Sequence, residues 1–272
     1  MSVTVTAAVA VAEAPVDSKT AVHDYIMHHV MYHMASADTW NVPFMHLKIF
    51  DVFSYDSFMV VFSAALLIGL VALFYRPQQD APRGFTAMLE LFVLFVRDKI
   101  SIPFLGDQDG RKFTPLFCSL FLFILMMNLL GLIPLFSAAT SNVNVTGALA
   151  LVTLSVMVLG AIYRNGFRGF LRAFVPRGVP WPILPILAPI EFISMIGKAF
   201  ALMIRLFANM LAGHIIIFSL LGLVVIFGYY SLPLVLLVVC VFFFEIFVAF
   251  FQAYIFTLLS AVFIGQMFQP EH

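Results

Sequence analysis

The chain reads as an all-α polytopic membrane protein. Five transmembrane helices and one surface helix are expected, and the last two crossings form a long tilted hairpin. Three observations predict this. Hydrophobic residues make up 63% of the 272 positions and charged residues only 10%, against about a quarter charged in soluble domains. Several apolar stretches reach the ~20 residues a helix needs to cross a bilayer. Lysine and arginine gather in two loops and are sparse elsewhere. A β-barrel would show short alternating segments instead.

Residues 1–56 are mixed and polar and are expected to form an extracytoplasmic segment, with 57–272 as the membrane domain. The start, "MSVTVTAAVAVAEAP", lacks a basic n-region, and "AEA" at 12–14 is a weak cleavage signal. His29 and His33 are four apart and would share a helix face. With no cysteine or regular ligand pattern beside them, a solvated helix is expected there rather than a metal site. The first crossing covers 58–75 and stops at "RPQQDAPRG", where charge and two prolines intervene. "GFTAMLELFVLFVRDK", 84–99, carries Glu90 and Arg97 and is too short to span. It is placed on the membrane surface. The second crossing covers 113–136 and the third 144–163, separated by the uncharged turn "SAATSNVN".

After the third crossing, Arg164, Arg168 and Arg172 recur every four residues beside Phe167, Phe170 and Leu171. That pattern suits a short interfacial helix on an anionic leaflet. Two long apolar runs follow, 183–227 and 233–268, joined by "GYYSLP". Of 14 lysines and arginines, six lie between 76 and 112 and four between 164 and 177. These two loops are therefore cytoplasmic. Five crossings then leave the N-terminal segment outside and the C-terminus inside. Zero net charge offers no field for nucleic acid, and no nucleic-acid partner, cofactor or metal is expected. Cys118 and Cys240 lie inside apolar runs and have no CxxC spacing.

The run 183–227 holds the ionisable residues that matter most. As one helix its 45 residues would measure about 68 Å, against a hydrocarbon core of roughly 30 Å. Either it breaks near Gly213 into two short spans, or it is one helix tilted within the membrane. Glu191, Lys198 and Arg205 are separated by seven and seven, and Asn209 is one turn further on. All four share a face, and His214 lies roughly opposite. Folding the two runs about Tyr230 brings His214 and Glu245 to a similar depth, and likewise Arg205 and Gln252. Glu245 and Gln252 are again seven apart.

An arginine at the bilayer centre costs about 2.5–3.5 kcal/mol on insertion scales. One reading is internal pairing, with Arg205 joined to Glu191 or Glu245 as glue between helices. The other is a proton path, since intramembrane ionisable residues mark such paths. His214 carries an imidazole, a side chain suited to taking up and releasing protons, and a desolvated carboxyl such as Glu245 can exchange protons with it. Arg205 stays protonated and cannot pass a proton on. It blocks a direct leak and attracts a carboxylate.

At this point the residues resemble a known family. "RLFANMLAGH", preceded by "PIEFISMIGKAFALMI" and followed by "FFFEIFVAFFQAYIFTLL", resembles subunit a of the F-type ATP synthase, as does "MMNLLGLIP" at 126–134. The match runs from about residue 50 to the end. The resemblance implies one transmembrane helix, a surface helix, two more crossings, and a tilted hairpin against a rotating ring of c subunits. It implies that Arg205 faces the ring carboxylate, that Asn209 and Gln252 are its polar neighbours, and that Glu191 and Lys198 lie on the cytoplasmic side. In the best-known bacterial pattern glutamate stands at the position of His214 and histidine at that of Glu245. Here the two are exchanged, as in mitochondrial-type subunits. Where another bacterial version has aspartate, this chain has Gly131.

The resemblance further implies a proton-translocating stator subunit of the Fo sector, which supports ATP synthesis without being the catalyst. Two offset half-channels load and unload the ring carboxylates. The outer one is lined by His214 and Glu245, and the inner one opens near Glu191. The implied partners are the c-ring, the b subunits of the peripheral stalk, membrane lipids and protons. The implied location is a bacterial inner (plasma) membrane, with the mitochondrial inner membrane as the alternative. The chain has no Walker-type phosphate loop of its own. The rival is a stand-alone ion transporter or channel, which predicts an internal repeat that the sequence lacks.

Overall fold

A computed structural model describes residues 55–74, 84–133, 138–173, 184–227 and 232–268. The segment 1–54, with His29 and His33, lies outside the described residues. The elements are α1 (Tyr55–Phe74), α2 (Phe85–Phe95), a π-helical turn (Val96–Ser101), α3 (Ile102–Leu105), α4 (Asp107–Gly131), a 3-10 turn (Ala139–Ser141), α5 (Val143–Ala173), α6 (Leu184–Phe227) and α7 (Leu232–Phe268). Among the described residues there is no strand. Five spans are long and apolar enough to cross a membrane: Asp56–Leu73, Asp107–Gly131, Val143–Phe167, Ile186–Val224 and Leu232–Phe268. They are helical because lipid offers no partner for backbone N–H and C=O groups, so each crossing must bond within itself.

The structure bears out the expected all-α, five-crossing architecture and adjusts its bounds. The surface helix runs beyond residue 99, through the π turn, to Leu105. Such a turn inserts an extra residue and rotates the faces that follow. It turns Val96, Ile100 and Ser101 inward, and Ser101 Oγ donates to the Gly110 carbonyl at 2.5 Å. The surface layer is thereby tied to α4. Met88, Leu91 and Phe95 of α2 stay exposed, as suits a helix bedded in lipid. The second crossing begins at Asp107 rather than 113, with Asp107 and Asp109 in its first turn, where carboxylates complement the helix dipole.

The packed interior lies between α4, α5, α6 and α7. Phe121, Ile124 and Met127 of α4 meet Leu202 and Leu206 of α6 and Phe256 of α7. Polar links supplement this packing, since lipid gives helices little hydrophobic reason to associate. Thr153 of α5 and Ser260 of α7 share a hydrogen bond at 3.2 Å. At one end of the bundle Asn142 Nδ2 donates to Asp56 Oδ2 at 2.7 Å, joining the start of α5 to the start of α1. At the other end Arg164 forms an ion pair with Asp109.

That ion pair corrects one reading of the sequence. Arg164 was expected on a lipid-facing stripe with Arg168 and Arg172. The helix turns a corner at Gly166, with φ +69° and ψ 167°, so Arg164 ends the crossing and points back into the bundle. This backbone region is essentially glycine-only, and other residues there cost of order 1–3 kcal/mol. Gly166→Ala should therefore destabilise the detergent-solubilised chain by about that amount. Gly166→Asn should give no relief, although asparagine relieves ordinary left-handed turns. Thermal unfolding of the two variants against the parent checks this, and a parent-like Asn variant would contradict it.

Candidate functional site

The site is built on α6 and α7. The run 183–227 does not break at Gly213: α6 is one helix of 44 residues, and α7 has 37. At ~1.5 Å per residue they measure about 66 Å and 55 Å, so each fits a ~30 Å hydrocarbon core only obliquely.

Glu245 and Gln252 lie on the buried face of α7, each 6% exposed, in line with Ala249, Ala253 and Phe256. The expected common face is present. Glu245 sets its carboxyl against Gly213 of α6. A methyl group on Gly213 would fall on the carboxyl carbon and both its oxygens. The carboxyl thus reaches the backbone next to His214, and the two groups lie within electrostatic reach of each other. Among the described residues Glu245 makes no hydrogen bond.

His214 is held by two backbone carbonyls. Its Nδ1 is 2.8 Å from the Met210 oxygen, one turn back, and its Nε2 is 3.1 Å from the Gly131 oxygen at the end of α4. A carbonyl only accepts, and a neutral imidazole carries one N–H. The neutral ring therefore satisfies one contact at a time, and only the doubly protonated ring satisfies both. Gly131, where a bacterial pattern has aspartate, contributes its backbone.

Arg205 lies on the opposite side of α6 from His214 and is exposed. Among the described residues it makes no hydrogen bond or ion pair. The internal-glue reading therefore fails, because neither Glu191 nor Glu245 bonds to it. Asn209, one turn on, is half-buried, as is Glu191. Lys198 departs from the stripe. Its Nζ donates to Gln266 Oε1 of α7 at 2.9 Å and lies 5.7 Å from the Phe263 ring centre. No hydrogen bond joins Gln252 to Arg205 among the described residues.

Three polar atoms are fully buried without a partner among the described residues: Asn128 Oδ1, Thr140 Oγ1 and Gln252 Nε2. Asn128, 1% exposed on α4, reaches the Ala249 carbonyl with its Nδ2 at 3.4 Å. Orphaned polar atoms of this kind mark places for ordered water. Sequence reasoning assigned Asn128 no role. The available signal was a lone amide in an otherwise apolar crossing. Among the described residues no group of three or more His, Cys, Asp or Glu could hold a metal, and both cysteines are free.

The arrangement offers a fixed exposed cation on one side of α6. On the other it offers a buried acid and an imidazole, with uncharged polar groups beside them.

A family model described as ATP synthase A chain matches residues 57–265. ATP synthase subunit a of Anaeromyxobacter dehalogenans (strain 2CP-C) is 43% identical over 215 residues, covering 76% of this chain and 55% of the relative. ATP synthase subunit a of Myxococcus xanthus (strain DK1622) is 41% identical over 221 residues, covering 79% of this chain and 72% of the relative. ATP synthase subunit a of Chlorobium phaeobacteroides (strain BS1) is 38% identical over 255 residues, covering 89% and 75%. The chain spans little more than half the length of the Anaeromyxobacter relative. With five membrane-length helices and a family match over most of its length, this chain belongs to the ATP synthase A chain family.

Proposed function

We propose that the chain is the proton-translocating stator subunit of an F-type ATP synthase, in a bacterial inner (plasma) membrane. The observation that carries this reading is the exposed, unpaired Arg205 on a membrane-length apolar helix. A guanidinium in that position is costly unless a carboxylate reaches it. No such group comes from the described residues, and a carboxylate carried by a partner fits that place. Gly197, Ala201, Ala208 and Ala212 are exposed and spaced four, seven and four apart on the same side of α6. Small residues let a neighbouring helix come close. The partner that fits is a c-ring that presents its carboxyls to Arg205, with b subunits of the peripheral stalk holding the stator and lipid covering the rest.

The mechanism follows from charge. A proton arrives from outside through His214 and Glu245 and binds a ring carboxylate near Arg205. The acid formed is neutral and can turn into lipid, where the anion would be prohibitive. After nearly a full turn the acid meets a second half-channel near Glu191, releases its proton to the cytoplasm, and returns as an anion to Arg205. Asn209, one turn along α6, supplies an uncharged donor and acceptor beside the cation, and Gln252 does so on the buried face of α7. Lys198 and Gln266 lie toward the inner side. The waters invited by Asn128, Thr140 and Gln252 support an outer path that reaches Glu245. Arg205 separates the two half-channels, because it neither gives up its proton nor lets a hydronium pass. Each proton driven across 100 mV supplies about 2.3 kcal/mol. Segment 1–56 lies outside on this reading, and 57–272 forms the channel-bearing domain.

Three measurements test it, on the assembled complex in vesicles. Arg205→Lys should abolish ATP-driven acidification, because a desolvated lysine can lose its proton. Normal acidification would overturn the mechanism. The exchange His214→Glu with Glu245→His should retain more pumping than either single change. A double variant no better than the worse single shows that the residues are uncoupled. Gly213→Ala should slow pumping by about tenfold by pushing the Glu245 carboxyl off its seat. Glu245→Asp, one methylene shorter, should recover part of that loss when combined with it. No recovery would mean that Gly213 does not position the acid.

A further inference from the structure

Arg164, first read as part of a lipid-facing stripe with Arg168 and Arg172, instead joins Asn165 in gripping the last turn of α7. Asn165 Nδ2 donates to the carbonyls of Met267 and Phe268, both at 3.3 Å. These are end-of-helix acceptors without a partner of their own in α7. The Arg164 guanidinium lies 5.7 Å from the Phe268 ring centre while its ion pair ties it to Asp109 of α4. The Phe268 ring meets Phe113 of α4 edge-on at 5.2 Å. It occupies a niche that exists because residue 160 is glycine: a methyl group there would lie 2.7 Å from Phe268 Cζ. From the third side, Lys198 of α6 holds Gln266. Helices α4, α5 and α6 thus all fasten the same turn.

The distribution of burial along α7 gives this end its importance. Every buried residue of α7 lies at Glu245 or beyond it, ending in Met267 and Phe268. Before Glu245 the helix exposes Leu236, Val239, Phe243 and Phe244. Glu245 is therefore the first fully buried residue of its helix, and the buried contacts that hold it run from there toward Phe268. A slip of one residue would move it ~1.5 Å along the axis and rotate it by about 100°. That displacement takes the carboxyl off Gly213.

We propose that Arg164, Asn165 and Phe268 form a clasp that sets the axial register of α7. They are positioning residues that keep Glu245 beside His214. The inference rests on the proton-translocation reading for its functional consequence, but the register can be measured separately. In a complex with Cys118 and Cys240 replaced by alanine, a Met210→Cys, Ala249→Cys pair reports the α6–α7 register by cross-linking. Combining Arg164→Ala with Asn165→Ala should lower the cross-link yield severalfold. It should also slow ATP-driven pumping by about tenfold or more, since ångström-scale misplacement has that scale of effect. Arg164→Lys, which keeps the cation, should preserve both. Should the double variant assemble poorly, Gly160→Ala, which only crowds the Phe268 ring, decides by the same two readouts. Unchanged cross-linking, or slowed pumping with the register intact, overturns the clasp. Normal pumping by Arg205→Lys would instead overturn the proton-translocation reading and leave the cross-linking result to judge the clasp.

Discussion

The rest of the structure depends on one constraint: a guanidinium that cannot shed its charge sits on a helix built for lipid. Lysine, glutamate or histidine in that place could neutralise itself and lower the cost of burial; arginine has no such escape. Among the described residues no carboxylate bonds to it, although Glu191 and Glu245 lie on the same pair of helices. Glu245 is turned to the other side of α6, where the missing side chain of Gly213 makes room for it. One helix thereby keeps an acid and a base within reach of each other and holds a cation away from both. Were Arg205 to pair with Glu245, the bundle would satisfy its own charges and have nothing to exchange with a neighbour.

The polar groups inside the bundle follow the same division. Asn142 and Asp56 close one end, and Arg164 and Asp109 the other. Between them come hydroxyls bonded to their own helix, such as Thr257 to the Ala253 carbonyl at 2.9 Å, and a few atoms left unsatisfied. A bonded hydroxyl is inert, whereas an orphaned amide or hydroxyl invites water. Among the described residues Asn128, Thr140 and Gln252 are thus positions where the interior can be wetted.

Much of this was legible in the residues alone, because lipid simplifies the problem. Five crossings and their order followed from apolar length. The shared face of Glu245 and Gln252 followed from a spacing of seven, and the depth of His214 opposite Glu245 from counting along the two apolar runs. What escaped notice depends on side-chain reach or on single backbone angles. The π turn after Phe95 has no periodic signature. Arg164 fitted an every-fourth-residue pattern, but Gly166 turned the chain before the pattern could act. Lys198 shares a helical face with Arg205, yet its long stem carries its charge across to Gln266. That Arg205 bonds to nothing among the described residues was beyond periodicity, which can place residues on a face but cannot say whether anything meets them there.

The length of α6 bears on how such a protein is made. An upright helix needs only about 20 residues to traverse the hydrocarbon, so a 44-residue one threaded vertically would leave half of itself outside. Its reclined pose becomes favourable once α4, α5 and α7 are present to cover Met195, Leu202 and Leu206. The closing hairpin therefore finds the surfaces that cover it only where the earlier crossings are in place.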